Sequence, residues 1–311
     1  MTQRIGITGA AGLVGQNLIP RLKGLKYTDI VAIDKHPANT AILRQLHPDI
    51  GVIEADLAHD DGWQQAIADC IAVVCAHAQI GGVDRAAFED NNVLATSRLL
   101  DVVKTNPRAY VVHVSSSVVE SAASDWYVYS KQAQEQLIVN AGISYVVLRP
   151  TLMFGWFDRK HIGWLMRFMH QVPVFPIPGY GRYLRQPLYV GDFCEIIISC
   201  VEHRPNGVAY NISGQETIEY INLMGMVRDV SKARTAIVPI PYWGFWALLK
   251  LYAMFDRDPP FTTDQLKALV TPDVFEVIDW PNIFGVKATP LRLALQQSYC
   301  DPVYSQIVLE F

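Results

Sequence analysis

A glycine-rich turn near the start of the chain is the feature that most restricts its fold. The run Arg4–Thr8 predicts a β-strand, and a helical pattern over Gly12–Lys23 follows it. Between them the first glycine permits a tight turn, the second lets the backbone approach a pyrophosphate, and the third lets the helix pack closely on the sheet. The helix N-terminus adds N–H donors and a positive dipole. We therefore predict a dinucleotide site here, with these cofactor contacts: Gly9, Ala11, Gly12, Leu13, Val14 and Gly15.

A carboxylate ends the second predicted strand, Asp29–Asp34. At that point Asp34 can accept hydrogen bonds from the ribose hydroxyls of an adenosine. The same negative charge repels a 2′-phosphate, so we expect NAD in preference to NADP. Lys35 and His36 follow directly and soften this preference, and Lys35 is itself a predicted cofactor contact.

The first 150 residues repeat the order strand, helix, strand. Their strands are rich in Val and Ile rather than alternating, which is typical of a parallel sheet buried on both faces. We therefore predict an α/β fold, a Rossmann doubly wound parallel sheet with right-handed crossovers. Further predicted strands are Gly51–Glu54, Ile71–Ala76, Ala109–Ser115 and Ser144–Leu148, and further predicted helices are Asp61–Asp69, Phe88–Thr105 and Tyr127–Asn140.

Aromatic residues divide the chain into two unequal parts. Residues 1–150 hold 8 of the 33 Phe, Trp and Tyr residues, whereas residues 151–311 hold 25. The strand–helix rhythm also breaks after Pro150, and only a helix at Asp192–Glu202 and a strand at Val208–Ile212 continue it. We predict a nucleotide-binding core of residues 1–150, to which 188–213 return, and a smaller C-terminal substrate domain built from 151–187 and 214–311.

Composition excludes several other classes of protein. The formal net charge of −4, from 26 basic and 30 acidic residues, gives no electrostatic case for nucleic-acid binding. The five cysteines are odd in number and none has C-x-x-C spacing, so we expect no disulfide framework and no metal site, and a reducing cytoplasm is the default. We expect no signal peptide and no transmembrane segment, because no apolar stretch reaches 18 residues.

The segment Pro241–Phe255 is the nearest candidate for membrane contact. It is too short to span a bilayer and contains Lys250, but it could lie on a membrane surface as a peripheral contact. Its aromatic residues Trp243, Phe245 and Trp246 are most simply interpreted as a buried helix of the substrate domain. Membrane docking and a tunnel for a lipophilic substrate are the alternatives.

A tyrosine and a lysine are spaced for acid–base chemistry. Tyr127 and Lys131 stand four residues apart on a predicted helix and therefore share one face. A nearby ammonium lowers the pKa of a phenol, which can then exchange protons with a carbinol or carbonyl oxygen. The preceding strand ends in Ser115, Ser116 and Ser117, and one of these hydroxyls could bond the same oxygen.

Together these motifs resemble the extended short-chain dehydrogenases/reductases, the superfamily of sugar-nucleotide epimerases and dehydratases. The resemblance runs from residue 4 to about residue 215, which is two thirds of the chain, and says nothing specific about the substrate. Five further segments are similar to markers of that superfamily: Ala55-Asp56-Leu57, Asn91-Asn92-Val93-Leu94-Ala95-Thr96, Leu148-Arg149-Pro150-Thr151 with Phe154-Gly155, Tyr189-Val190-Gly191-Asp192, and Tyr210-Asn211-Ile212.

The resemblance implies a role for each matching residue. Tyr127 would be the acid/base, held as a phenolate. Lys131 would lower its pKa and bind the nicotinamide ribose. Ser117, with Ser116 as the second choice, would bond the reacting oxygen. The cofactor implied is NAD, whose further contacts would be Asp56, Leu57, Ala76, His77, Ala78, Asn92, Ser115, Pro150 and Thr151, together with Tyr127 and Lys131.

The chain also departs from the family pattern. His77 is displaced by two positions from the usual histidine after the fourth strand, so it either faces the cofactor or belongs to the core. Ala95 replaces a glycine. The spacer of 10 residues from Ser117 to Tyr127 is short. It resembles an atypical branch that includes the complex I accessory subunit and quinone- or isoprenoid-linked proteins, some of which have lost catalysis. The presence of both Tyr127 and Lys131 argues against that loss.

These observations leave three functional hypotheses. The leading one is an NAD-dependent oxidoreductase or epimerase that acts on a secondary alcohol of a nucleotide sugar. Dehydration is disfavoured, because Val118-Val119 follows Ser117 where a dehydratase carries an acidic pair. The alternatives are a dehydrogenase of a sterol- or isoprenoid-like substrate and a non-catalytic NAD(P)-binding subunit.

Three further expectations concern single residues and assembly. Arg182 and Arg185 lie on a glycine-rich loop and could clamp the diphosphate of the substrate, with a solvated loop as the alternative. His113, within an apolar strand, is expected to be a buried core residue whose hydrogen bonds are satisfied. The resemblance also implies a homodimer that pairs the helices Phe88–Thr105 and Tyr127–Asn140.

Overall fold

A computed structural model of the chain describes residues 3–121, 125–253, 266, 270 and 276–310. Within these ranges seven strands form a central sheet, and six short strands pair two by two outside it. In chain order the strands are β1 (Ile5–Thr8), β2 (Ile30–Asp34), β3 (Gly51–Glu54), β4 (Ala72–Cys75), β5 (Tyr110–Val114), β6 (Ser144–Pro150), β7 (Met153–Phe154), β8 (Val174–Pro178), β9 (Leu184–Arg185), β10 (Leu188–Tyr189), β11 (Val208–Ile212), β12 (Ile218–Glu219) and β13 (Ala236–Ile240).

The seven strands of the central sheet all run parallel, in the order β11-β6-β5-β4-β1-β2-β3. Ile5 of β1 lies opposite Ile30 of β2 on one side and opposite Ala72 of β4 on the other. The strand order reverses between β1 and β4, which leaves a crevice at the carboxyl ends of these strands. The predicted doubly wound α/β fold is confirmed.

Helices cover both faces of the sheet. In chain order they are α1 (Leu13–Gly24), α2 (Pro37–Leu46), α3 (Gln64–Ala68), α4 (Arg85–Phe88), α5 (Ala95–Val103), α6 (Trp126–Val139), α7 (Ile162–Gln171), α8 (Val190–His203), α9 (Tyr220–Ser231), α10 (Tyr242–Ala253), α11 (Trp280–Phe284) and α12 (Leu291–Tyr299). Within the single helix predicted over Phe88–Thr105, α4 and α5 are separated by a π-helix, Glu89–Leu94. Such π-turns are frequent at functional sites.

Three apolar clusters stabilise this arrangement. One joins a face of the sheet to α1 and α8, and the second joins the opposite face to α3 and α5. The third lies apart from the sheet and contains residues of α7, β8, α9 and α12. The later strand β11 pairs with β6, with Val208 opposite Val146, so the chain returns to the sheet after the segment that holds α7. The exact domain boundaries stay a prediction.

The aromatic helix α10 differs from its expected environment. Trp243 is 75% exposed and Trp246 is 44% exposed, so the interpretation of these tryptophans as buried core residues is wrong. The physical reason is position, because α10 follows the edge strand β13, which pairs only with β8 in a two-stranded sheet. No helix in the described part of the chain is long and apolar enough to cross a membrane.

Candidate active site

A cavity of about 1050 Å³ opens at the carboxyl ends of the parallel strands. The glycine turn, the run of serines and the start of α6 all reach it, although they are far apart in the chain. Ser117 lines the cavity, and so do these predicted cofactor contacts: Gly9, Ala11, Gly12, Leu13, Val14, Asp34, Lys35, Asp56, Leu57, Ala76, His77, Ala78, Ser115, Tyr127, Lys131, Pro150 and Thr151. Among the residues described, four predicted site residues lie outside this lining: Gly15, Asn92, Arg182 and Arg185.

The glycine turn has the close backbone contacts that its sequence predicts. Gly9 has a φ of +66°, and a Cβ there would lie 2.6 Å from the backbone nitrogen of His77. A Cβ on Gly15 would lie 2.4 Å from the carbonyl oxygen of Ala10, so this glycine serves the packing of α1 rather than the cavity. Gly12 is the N-cap of α1 and makes no side-chain capping bond, which leaves the helix N-terminus facing the cavity.

Asp34 is held at the far end of the cavity by the backbone. Its carboxylate accepts from the N–H of Ala11 at 2.9 Å and from that of His36 at 3.0 Å. Burial raises the pKa of Asp34, and these hydrogen bonds oppose that shift. Arg159 approaches from the segment after β7: burial lowers its pKa, and the Asp34 charge opposes that change. A carboxylate fixed by the backbone and a half-buried guanidinium therefore lie close together at this end.

Tyr127 lies one residue inside α6, whose N-cap is Asp125. The Asp125 carboxylate accepts from the N–H of Val128 at 2.9 Å, which fixes the first turn. Burial raises the pKa of Tyr127, a hydrogen bond with Ser116 opposes the shift, and the Asp125 charge adds to it. Ser116 thus shares a hydrogen bond with Tyr127, and both Ser116 and Ser117 line the cavity, so the choice of the serine that bonds the reacting oxygen stays a prediction.

Lys131 is almost completely buried, at 1% exposure. Its ammonium donates to the carbonyl oxygen of Val114 at 3.0 Å and to Oε1 of Gln134 at 2.7 Å. Burial lowers the pKa of Lys131 to about 8, and the negative charge of Glu135 opposes that shift. Within the described ranges the acceptors of this ammonium are Val114 and Gln134.

Ser115 belongs to an ion-paired cluster behind the cavity. Its hydroxyl donates to Oε1 of Glu135 at 2.5 Å. Arg149 donates to both oxygens of that carboxylate, at 3.0 and 2.7 Å, and to Glu120 at 2.6 Å. Such a bidentate pair is among the stronger charge-assisted contacts. Through Ser115, Glu135 and Arg149, this cluster connects the end of β5 to α6 and to β6.

Asn92 is fully buried in the π-helix and acts on a neighbouring loop. Its Oδ1 accepts from the N–H of Gln79 at 2.6 Å, and its Nδ2 donates to the Gln79 carbonyl at 3.1 Å. The same Nδ2 donates to Ser130 at 2.8 Å. Because Gln79 lines the cavity, these hydrogen bonds hold one wall of the site in place, although Asn92 itself is not part of the lining.

The two arginines expected to clamp a substrate lie away from the cavity. Arg182 is exposed, and the guanidinium of Arg185 lies 5.1 Å from the ring centre of Tyr183. Four consecutive charged or titratable residues that no motif indicated do line the cavity, Asp158, Arg159, Lys160 and His161. The Asp158 carboxylate accepts from the backbone N–H groups of Lys160, His161 and Gly163 at 2.8 to 3.1 Å, which fixes this segment.

The C-terminal segment completes the cavity wall. Leu309 lines the cavity, and the backbone of Glu310 exchanges two hydrogen bonds with the Asn39 side chain, at 3.1 and 2.9 Å. The ring of Tyr304 lies 4.5 Å from that of Trp156 and 5.6 Å from that of Phe157. No local pattern indicated these residues, because the contacts join the two ends of the chain. The sequence did contain a signal for Gln134, the side-chain acceptor of the Lys131 ammonium, because this glutamine stands three residues after Lys131 on a predicted helix.

The fold and this cavity define a dinucleotide-binding Rossmann protein with a tyrosine, a lysine and serines at the same site. A sequence profile of the NAD dependent epimerase/dehydratase family matches residues 5–213. The chain therefore belongs to that family. The expected assignment to a family of NAD-dependent enzymes is confirmed.

Individual relatives are distant. The chain is 22% identical over 242 residues to "NADH dehydrogenase [ubiquinone] 1 alpha subcomplex subunit 9, mitochondrial" of Arabidopsis thaliana, a match that covers 76% of this chain and 60% of that protein's length. It is 25% identical over 266 residues to a dTDP-glucose 4,6-dehydratase of Streptomyces griseus, with 75% and 80% covered. Among solved structures, the UDP-glucuronic acid 4-epimerase of Bacillus cereus in complex with NAD superposes with a TM-score of 0.73 at 21% identity, over 96% of this chain and 97% of that one.

Proposed function

We propose that this chain is an NAD-dependent oxidoreductase or epimerase that acts on a secondary alcohol of a nucleotide sugar. One observation carries the proposal. Tyr127, Lys131, Ser116 and Ser117 line the same cavity as the glycine turn and Asp34. Acid–base groups thus lie at one end of a cleft whose other end has the backbone shape of a dinucleotide site.

The residues of the cavity fit NAD. Without a Cβ at Gly9 and Gly12, a pyrophosphate can approach the N-terminus of α1, where no side chain caps the helix. Thr151 lines the cavity and its buried hydroxyl has no partner among the described residues, so it is available to a ligand. Asp34 would hold the adenosine ribose and favour NAD over NADP. When bound, this cofactor supplies the hydride acceptor.

Tyr127 moves the proton in the proposed reaction. Burial raises the pKa of Tyr127, so the neutral phenol predominates and can protonate a carbonyl oxygen of the substrate. In the opposite direction the phenolate accepts the hydroxyl proton. Ser116 shares a hydrogen bond with Tyr127, and Ser117 is placed beside it to orient the reacting oxygen. The Lys131 ammonium contributes positive charge that favours the phenolate.

A nucleotide sugar is the substrate class that the relatives support. Two of them are named for sugars carried on dTDP and UDP. In this chain Arg159 and Lys160 line the cavity and can bond diphosphate oxygens. Val118 lines the cavity directly after the serines, where dehydration would need an acidic pair. Epimerisation or net oxidation and reduction is therefore the proposed outcome.

A second candidate is a non-catalytic NAD(P)-binding subunit. It is favoured by the similarity to the Arabidopsis NADH dehydrogenase subunit and by the exposed Trp243 and Trp246, which present an apolar surface to a partner or to a membrane. The same exposed aromatic residues are the feature that favours a lipophilic, sterol- or isoprenoid-like substrate. We also propose a reducing cytoplasmic setting, because all five cysteines are free thiols.

The first prediction tests the chemistry. Tyr127→Phe removes the proton donor, so hydride transfer between NAD and UDP-, GDP- or dTDP-sugars should fall by about 10² to 10⁴. NAD affinity, measured by titration calorimetry, should stay within about threefold, because the phenol contributes only one of many contacts. Tyr129→Phe is the matched control, since Tyr129 lies on the same helix and is 51% exposed. Turnover that survives Tyr127→Phe contradicts the mechanism, and tight NAD binding with no turnover by the unaltered protein supports the second candidate.

A further inference from the structure

A row of hydrogen bonds leads from Lys131 into the protein interior. The ammonium donates to Oε1 of Gln134 at 2.7 Å, and Nε2 of Gln134 donates to Oγ1 of Thr96 at 2.8 Å. Thr96 Oγ1 lies 3.0 Å from Nε2 of His77, and Nδ1 of His77 lies 2.7 Å from Oγ1 of Thr8. Thr8, Thr96 and Gln134 are fully buried. Five side chains from α6, α5, β1 and the loop after β4 are thus connected, and two of them, Lys131 and His77, line the cavity.

The ammonium fixes the direction of the first two bonds, and the tautomer of His77 fixes the direction of the next two. An ammonium can only donate, so Gln134 must accept through its oxygen and donate through its nitrogen. Thr96 then accepts from Gln134, and its own proton points to Nε2 of His77. We assign the proton of the neutral ring to Nδ1, which donates to Thr8, so that Nε2 accepts from Thr96. Thr8 ends the row at the carbonyl oxygen of Val74, at 3.5 Å.

We propose that Gln134, Thr96 and His77 are positioning residues that hold the Lys131 ammonium in place beside the cavity. The proposal rests on the proposed function, in which that ammonium favours the Tyr127 phenolate. A buried cation stays charged only when its donors have acceptors, and the side-chain acceptor here is Gln134. Gln134 in turn keeps its orientation because its amide nitrogen donates to Thr96. Thr96 is held as the acceptor of this bond because its own proton is directed to His77.

The charge state of the row suits neutral pH. Enclosure lowers the pKa of His77 to about 3, and the positive charge of Lys131 adds to that shift. His77 therefore stays neutral and able to accept, whereas a doubly protonated ring would reverse the Thr96 bond. The titratable groups that face Lys131 are Cys75 at the end of β4, His77 after that strand, His113 on β5, and Glu135 on α6.

Two substitutions that should shift the pKa of Lys131 in opposite directions test the proposal. Gln134→Met removes the acceptor, so Lys131 should lose its proton about one pH unit lower, and the alkaline limb of the pH–rate profile of hydride transfer should move down equally. Gln134→Glu places a carboxylate at the same atom, and the limb should move up by about one unit. Gln136→Met is the matched control, because Gln136 is an exposed glutamine on the same helix. Unchanged profiles in both Gln134 variants overturn the proposal.

A second measurement needs no turnover. ¹⁵N NMR of histidine side chains in the unaltered, cofactor-free protein should show His77 neutral near pH 5, with its proton on Nδ1. A proton on Nε2 would make His77 a donor to Thr96 and overturn the positioning role of His77, even if Gln134→Met fails to fold. A side-chain NMR titration of Lys131, compared between the unaltered protein and Gln134→Glu, should show the same upward shift. If hydride transfer is absent but these NMR results hold, the proposed function fails while the positioning role stands.

Discussion

At the scale of single residues, the half-buried His77 and the fully buried His113, both close to the site, have opposite hydrogen-bond environments. His77 bonds at both ring nitrogens, whereas neither nitrogen of His113 has a partner among the described residues. The expectation of a buried His113 holds, but not that of satisfied hydrogen bonds. His113 lies opposite Cys75 in the sheet register, within an apolar layer, and burial lowers its pKa well below the usual range.

The lowered pKa of His113 makes the free energy of unfolding sensitive to acid. The pKa of His113 is lower in the folded state, so the unfolded chain binds more protons and stability is lost as the pH falls below about 6.5. At about pH 5 the loss from one such histidine is about 2 kcal/mol. His113→Leu should remove this histidine's contribution to the loss. Between about pH 7.5 and 5, the free energy of unfolding should therefore fall by about 2 kcal/mol less in the variant than in the unaltered protein.

Urea unfolding at the two pH values measures this effect. At neutral pH the leucine should leave stability unchanged or raise it, because it replaces two unpartnered nitrogens with an apolar group of similar size. An equal loss on acidification in both proteins would mean that His113 titrates normally in the folded state.

At the scale of elements, α1 and its turn show how a glycine pattern becomes a site. Gly15 and Gly24 belong to the same helix, but their surroundings differ completely. A Cβ on Gly15 would meet the Ala10 backbone at 2.4 Å, while a Cβ on Gly24 would have no neighbour within 4 Å. The helix can approach the turn only at the first of these positions, and that approach aims its N-terminus at the cavity.

A pair of alanine substitutions tests this geometry. Gly15→Ala should force α1 away from the turn, lower NAD affinity at least about tenfold and destabilise the fold by about 1–3 kcal/mol. Gly24→Ala should preserve NAD affinity and cost nothing, since alanine favours the helix over glycine by about 0.5–1 kcal/mol. Calorimetric titration with NAD and thermal unfolding provide both readouts. Equal effects of the two substitutions would show that contact with Ala10 is not what positions the helix.

Elements were predictable where their pattern is local. The Val/Ile runs indicated the strands of the parallel sheet, and the glycine turn indicated α1. The π-helix was not foreseen, because the sequence pattern predicted a single helix over Phe88–Thr105. The side-chain partners of the site were least predictable: Ser116 shares a hydrogen bond with Tyr127, and Arg149 pairs with Glu135. Those choices depend on distances between separate elements, which no spacing along the chain encodes.

At the scale of the whole molecule, the cavity is built from both ends of the chain. Residues 157–161 and Leu309 line it together with the N-terminal turn, and Asn39 binds the backbone of Glu310. The sequence placed the substrate after residue 150 on its aromatic content. It did not indicate the charged segment at Asp158–His161 as cavity lining, because neither its composition nor its periodicity differs from that of a solvated loop.

One outer face of the core has the properties of a subunit interface. The π-helix exposes Leu94, and α6 exposes Trp126, Tyr129 and Val139; each of these side chains is between 40% and 51% accessible. The rings of Trp126 and Tyr129 lie 6.0 Å apart, and the guanidinium of Arg85 lies 4.8 Å from the Trp126 ring centre. Aromatic side chains and arginine are enriched at protein interfaces. We therefore expect a homodimer in which this face meets its copy about a two-fold axis.

Light scattering coupled to size exclusion measures the assembly. Tyr129→Glu places a charge at the centre of the face, so the mass should fall from that of a dimer to that of one chain. Leu25→Glu is the matched control, because Leu25 is 51% exposed but lies beyond the far end of α1. Since α6 carries both Tyr129 and Tyr127, loss of the dimer should also loosen the first turn of α6 and reduce turnover. A monomeric unaltered protein, or a Tyr129→Glu variant that stays dimeric, would place the interface elsewhere.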